Sequence, residues 1–178
     1  MVEMEWILTM AAQTNFRVLH RSRRQPECGD IFVMGLPDTT YLFGRVIIAN
    51  APQTSAPMPG AHLIYIYDHR SPTPTIDKSK LLHARFLIPP IWTNNLGWSK
   101  GYFQTIANHP LGDFDVLPQH CFLRVALRPD APVTFVDEHG LQLKNRSEPC
   151  GEWGLVSYRW IDDRVSDAVG IPKVQVER

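Results

Sequence analysis

A mainly β protein with a C-terminal helix follows from three observations. Short, β-prone apolar runs recur along most of the chain, each bounded by Pro, Gly, Asn or Asp. Fifteen prolines among 178 residues favour short elements joined by loops. Only near the end does the apolar spacing change from alternation to steps of three and four. These features predict a strongly bent antiparallel sheet or a partly open barrel, with the helix closing its open side. Closure of that kind removes edges that would otherwise pair with other chains.

The arrangement is built around Gly29 to Ala49. Two apolar runs flank Pro37-Asp38-Thr39-Thr40. Proline pre-sets φ for a tight turn and the Asp and Thr side chains bond nearby backbone, so the stretch predicts a hairpin. Ile31, Val33 and Gly35 point one way and Phe32, Met34 and Leu36 the other. Both faces are apolar, which predicts a strand in the middle of the fold. Gly44 interrupts the second run, the mark of a bulge or of another backbone's close approach. Arg45 falls on the face of Tyr41, Phe43 and Ile47, either at a rim or paired.

Ahead of the hairpin, residues 1–27 read as an N-terminal arm, and residues 28–178 as a single β-rich domain. Met1 to Ala12 is an arm or terminal helix; it carries Glu3 and Glu5 where a secretory signal carries Lys or Arg. Arg17, His20, Arg21, Arg23 and Arg24 form a basic cluster, a nucleic-acid contact in one reading and a solvated lead-in in the other. After the hairpin, Ala51 to Gly60 is a proline-rich loop and His62 to Asp68 a strand. In that strand Leu63, Tyr65 and Tyr67 share one face. Asp77 to Leu82 predicts a short helical turn, and Phe86-Leu87-Ile88 a brief strand stopped by Pro89-Pro90.

Trp92-Thr93-Asn94-Asn95-Leu96-Gly97-Trp98 predicts a tight-turn loop whose tryptophans are buried anchors or, if exposed, interface hot spots. Gly101 to Ala107 resumes strand character. His109 to Val116 is a loop with Asp113 and Asp115, and His120 to Leu127 is the next strand. A second hairpin-like unit, Thr134 to Leu143, turns at His139-Gly140. The tail, from near Ser157 to a Gly170 cap, is an amphipathic helix. Its acidic face is solvation, or a surface that steers a basic partner.

Lys+Arg and Asp+Glu are equal at 18 each, so net charge gives no reason to expect nucleic acid or an anionic membrane as partner. No run approaches the roughly 18–20 apolar residues of a membrane span. Cys28, Cys121 and Cys150 are odd in number and contain no CxxC, which predicts reduced structural thiols and a cytoplasmic protein. His120 and Cys121 are neighbours on a strand and face opposite ways, so they form no dyad. Phosphate loops and HExxH are absent, and the histidines form no HxH or HxxxH pair. The expectation is a protein that is not an enzyme and has no cofactor and no metal.

Gly29-Asp30-Ile31-Phe32 with Tyr41-Leu42-Phe43-Gly44-Arg45-Val46 resembles the opening of the immunity protein 26 family of bacterial polymorphic toxin systems. Gly97-Trp98-Ser99-Lys100-Gly101-Tyr102-Phe103, through Asn108 and Pro110 to His120-Cys121-Phe122, resembles its middle section, so the likeness covers about residues 29 to 127. It implies a mainly β protein that binds a cognate toxin domain and blocks it, with no catalytic residues to carry over. Trp92, Asn94, Asn95, Trp98, Asp113, Asp115 and Arg45 are the expected toxin-binding residues. The hairpin also resembles the start of the SH3-like barrels of PemK/MazF-type toxin ribonucleases; on that alternative Arg45 and the arm arginines contact RNA. Neutral charge and a longer chain stand against it.

Overall fold

The computed structural model describes residues 14–81, 85–126 and 132–175. The arm expected over Met1 to Ala12 lies outside them, as do Leu82 and Leu127, the expected ends of a turn and a strand. The fold is mainly β. Strands β1 (Asp30–Gly35), β2 (Tyr41–Ile48), β3 (His62–Ser71), β4 (Phe86–Thr93), β5 (Gln104–Asn108) and β9 (Leu155–Val156) form one sheet in the order β5-β1-β2-β3-β4-β9. A smaller sheet, β7-β6-β8, comprises β6 (Cys121–Arg124), β7 (Thr134–Val136) and β8 (Cys150–Glu152). The large sheet is not closed, with β5 and β9 at its ends, in keeping with the expected bent, open sheet. Among the described residues no helix is long and apolar enough to cross a membrane.

The predicted hairpin is the centre of the sheet. Gly35 pairs with Tyr41, and Leu36 N–H donates to Thr40 O at 2.8 Å across the Pro37–Thr40 turn. Every residue of β1 is buried, as two apolar faces require. Phe32, Met34, Leu42, Val46, Ile64 and Ile66 face one core, and Ile31, Val33, Phe43, Ile47, Leu63, Tyr65 and Tyr67 the other. Gly44 has a side-chain reason: it sits opposite Phe32, whose ring would lie 2.2 Å from a Cβ there. The backbone approach expected from that glycine is instead an aromatic ring.

Helix α2 (Tyr158–Val169) seals the first core with Ile161 and Val165. Its ends are where residue chemistry puts them. The Ser157 side chain accepts from Trp160 N–H, and Gly170 adopts φ 75°, a left-handed value that favours glycine. One acid on α2 is not solvated: Asp162 is buried and accepts from Asn15 N–H at 2.9 Å and Phe16 N–H at 2.7 Å. The second core is covered by the small sheet through Phe122 and Val136 and by the 109–117 loop.

Two expectations are corrected. Pro89-Pro90 do not stop β4, which continues to Thr93; register shifts against β3 accommodate them, and β9 pairs only with Trp92 and Thr93. Cys121 and Cys150 are not free thiols. They sit opposite one another in the parallel β6–β8 register and form a disulfide, leaving Cys28 as the free cysteine. Three cysteines at wide spacing carry no local sign of which strands pair.

Candidate functional site

Arg45 organises the most distinctive surface from inside the protein. It lies on β2 between Ile31 and Tyr65 and has no exposed surface. Its Nη2 donates to His109 O at 3.0 Å and Pro110 O at 3.3 Å, and its Nη1 lies 2.7 Å from Asp115 Oδ1. One guanidinium therefore holds the beginning and the far side of the 109–115 loop. The Asp115 carboxylate also accepts from Gly112 N–H at 2.8 Å, while Asp115 N–H donates to Gly112 O at 3.0 Å. The result is a tight turn with Asp113 and Phe114 at its tip. Phe114 is 88% exposed.

A large aromatic at such exposure costs solvation in the isolated chain, and a turn tied to the core holds it with little freedom to lose on binding. Sequence reasoning selected Asp113, Asp115 and Arg45 here and missed Phe114. The available signal was an aromatic between two carboxylates directly after a turn glycine. Arg45 and Asp115 form the support, and Asp113 and Phe114 sit at the exposed tip.

The other expected residues divide in the same way. Trp92 belongs to β4 and is fully buried against Phe122 and Trp153. Trp98 lies in a one-turn helix, α1 (Leu96–Ser99), and packs edge-on against Phe32 and Phe103. The stretch expected to be a loop is thus a strand end plus a helical turn, and both tryptophans are buried. Between them Asn94 Oδ1 accepts from Leu96 N–H at 2.9 Å, and Asn95 Nδ2 donates to Gln25 Oε1 at 3.3 Å. Asn94 and Asn95 remain half-buried at the surface. Strand β5 links the two regions: its Asn108 end runs straight into His109, and its Gln104 end lies beyond the 101–103 turn that follows α1.

Beneath the loop a polar relay joins the two sheets. Leu117 N–H donates to Tyr65 Oη at 3.1 Å, and the Tyr65 hydroxyl bonds His120 Nε2. His120 Nδ1 lies 3.0 Å from Glu138 Oε2. His120 thus turns Nδ1 to a carboxylate and Nε2 to the tyrosine hydroxyl. Tyr65 and His120 are buried, and burial pushes the Tyr65 hydroxyl above its usual range. That combination braces an interface; burial denies a substrate access to it. No group of three or more His, Cys, Asp or Glu able to hold a metal ion occurs among the described residues.

His120 holds the Glu138 carboxyl down to about 2, against an ordinary 4.5. A depressed carboxyl contributes stability that is present above its unfolded value and lost as pH falls through the folded one. Glu138→Gln is therefore expected to flatten the fall in stability between about pH 4.5 and pH 2, read from urea melts at stepped pH. A wild-type profile unchanged by the substitution would show that the contact adds nothing.

A family model described as Immunity protein 26 matches residues 27–128, more than half of the chain. That span holds β1 to β6, Arg45 and the whole 109–117 loop. No curated protein and no solved structure matches the chain.

Proposed function

The chain belongs to the immunity protein 26 family, and on that footing we propose that it neutralises one cognate toxin of a bacterial polymorphic toxin system by direct, stoichiometric binding. Inhibition by binding needs a rigid, complementary surface and no reactive group. The observation that carries this reading is Phe114, 88% exposed at the tip of a turn clamped to a buried arginine. Aromatic anchors that enter a partner's pocket supply much of the energy of such interfaces. Asp113 beside it, with Asn94 and Asn95 further along, would give the polar rim.

The test begins with a pull-down of the tagged chain and identification of what co-purifies. One stoichiometric partner with a toxin domain is expected, and the chain should rescue cells from that toxin. Phe114→Ala is then expected to weaken the complex about 30-fold, roughly 2 kcal/mol, by calorimetry, with folding stability unchanged. Wild-type affinity in that variant would remove Phe114 from the interface. Bound RNA with no protein partner would overturn the immunity reading.

A further inference from the structure

One sheet edge of useful length is open. β5 ends the large sheet, and no strand pairs with its outer side among the described residues. The other edges are short or covered. β9 has two residues. β7 is met by Gln142, and Leu143 N–H donates to Phe135 O at 2.8 Å. β8 lies against β4, where a Cβ on Gly151 would come 2.3 Å from Pro90 O. Natural edges are blunted by proline or charge, yet Gln104-Thr105-Ile106-Ala107-Asn108 contains neither.

Beside this edge runs a basic segment. Leu19 N–H donates to Gly101 O at 2.7 Å and Ser22 N–H to Trp98 O at 3.1 Å, which fixes residues 19–22 along α1 and the turn after it. His20, Ser22 and Arg24 line a cavity of about 360 Å³ together with Gln104 and Thr105 of β5. Arg24 is committed to Asp30 at 2.9 Å and Glu27 at 3.2 Å. His20, Arg21, Arg23 and Lys100 are exposed and make no ion pair among the described residues. In a chain of zero net charge this is a local excess of positive charge next to an open strand.

We propose that the β5 edge accepts an extended, acidic segment of the toxin as an added strand, with its carboxylates on Arg21, Arg23 and Lys100. The inference rests on the toxin-binding reading and names the chemistry of the partner. Backbone hydrogen bonds along Gln104–Asn108 give affinity, and the cations select an acidic strand and speed its approach. A second copy of this chain is the poorer occupant, since it brings the same cations against one another.

The probe is the toxin domain recovered by the pull-down. Hydrogen exchange on the full chain should show alternate amides of residues 104–108 newly protected in the complex. Arg21→Glu/Arg23→Glu should weaken binding roughly tenfold or more at low salt, while Phe114→Ala leaves the β5 protection pattern in place. Equal affinity in the charge-reversed variant, or β5 amides that exchange as in the free chain, overturns this proposal alone. A wild type that dimerises through β5 by light scattering also overturns it. A wild type that binds no toxin overturns both readings.

Discussion

Asp115→Ala is expected to cost about 3–5 kcal/mol of folding stability, because it leaves a fully buried guanidinium without its carboxylate. The remaining Arg45 acceptors, His109 O and Pro110 O, are neutral carbonyls and do not balance the charge. The turn also loses the side-chain bond to Gly112 N–H, so the 112–115 tip loosens as the core is weakened. Removing both charges is a different matter. Arg45→Met/Asp115→Ala replaces a buried ion with an apolar chain of similar length and is expected to recover most of the loss. Urea unfolding of the wild type, the single variant and the double variant measures this directly, with a fall in Tm of roughly 10 °C for the single variant. If the single variant unfolds at the wild-type midpoint, Arg45 does not support the loop.

Opening the Cys121–Cys150 bridge is expected to cost about 3–4 kcal/mol, from the entropy of closing a 29-residue separation in the unfolded chain. The effect should concentrate in the small sheet, whose strands have four, three and three residues and little else to hold them. Thermal melts with and without reductant provide the measurement, and Cys150→Ser should match the reduced wild type and ignore reductant. Thiol titration of the denatured, unreduced protein should find one thiol, Cys28. Three thiols would mean that the bridge does not form and would suit the reducing cytoplasm that the cysteine pattern predicts. One thiol instead suits an oxidising compartment.

What could be read in advance was local. The β1–β2 turn was legible because Pro37, Asp38 and Thr40 each favour it for a separate reason. Both ends of α2 were legible in Ser157 and Gly170, whose chemistry acts within a turn. The partition of β1 and β3 between two cores followed from alternation alone. What stayed hidden depends on distant pairing. Arg45 and Asp115 are 70 positions apart in numbering, and nothing near either residue names the other. The same holds for Cys121 and Cys150, which meet only through β6–β8 register, and for Asp162, which read as a solvated acid until Asn15 and Phe16 were placed upon it. Pro89 and Pro90 misled for a related reason: proline ends a strand only where its missing N–H is needed, and a sequence does not say which side of a strand is unpaired.

The contact of Asn15 and Phe16 with Asp162 sets an order of events during synthesis. Asp162 is made 147 and 146 residues after Asn15 and Phe16, whose amides it accepts. While the polypeptide is still growing, β1 to β4 are able to pair, yet the face carrying Phe32, Met34, Ile64 and Ile66 has no cover until α2 has been translated. A nascent chain arrested before Ser157 therefore presents a broad apolar surface to whatever lies near the ribosome. Completion of α2 covers that surface, and the Asn15 and Phe16 amides gain their acceptor only then.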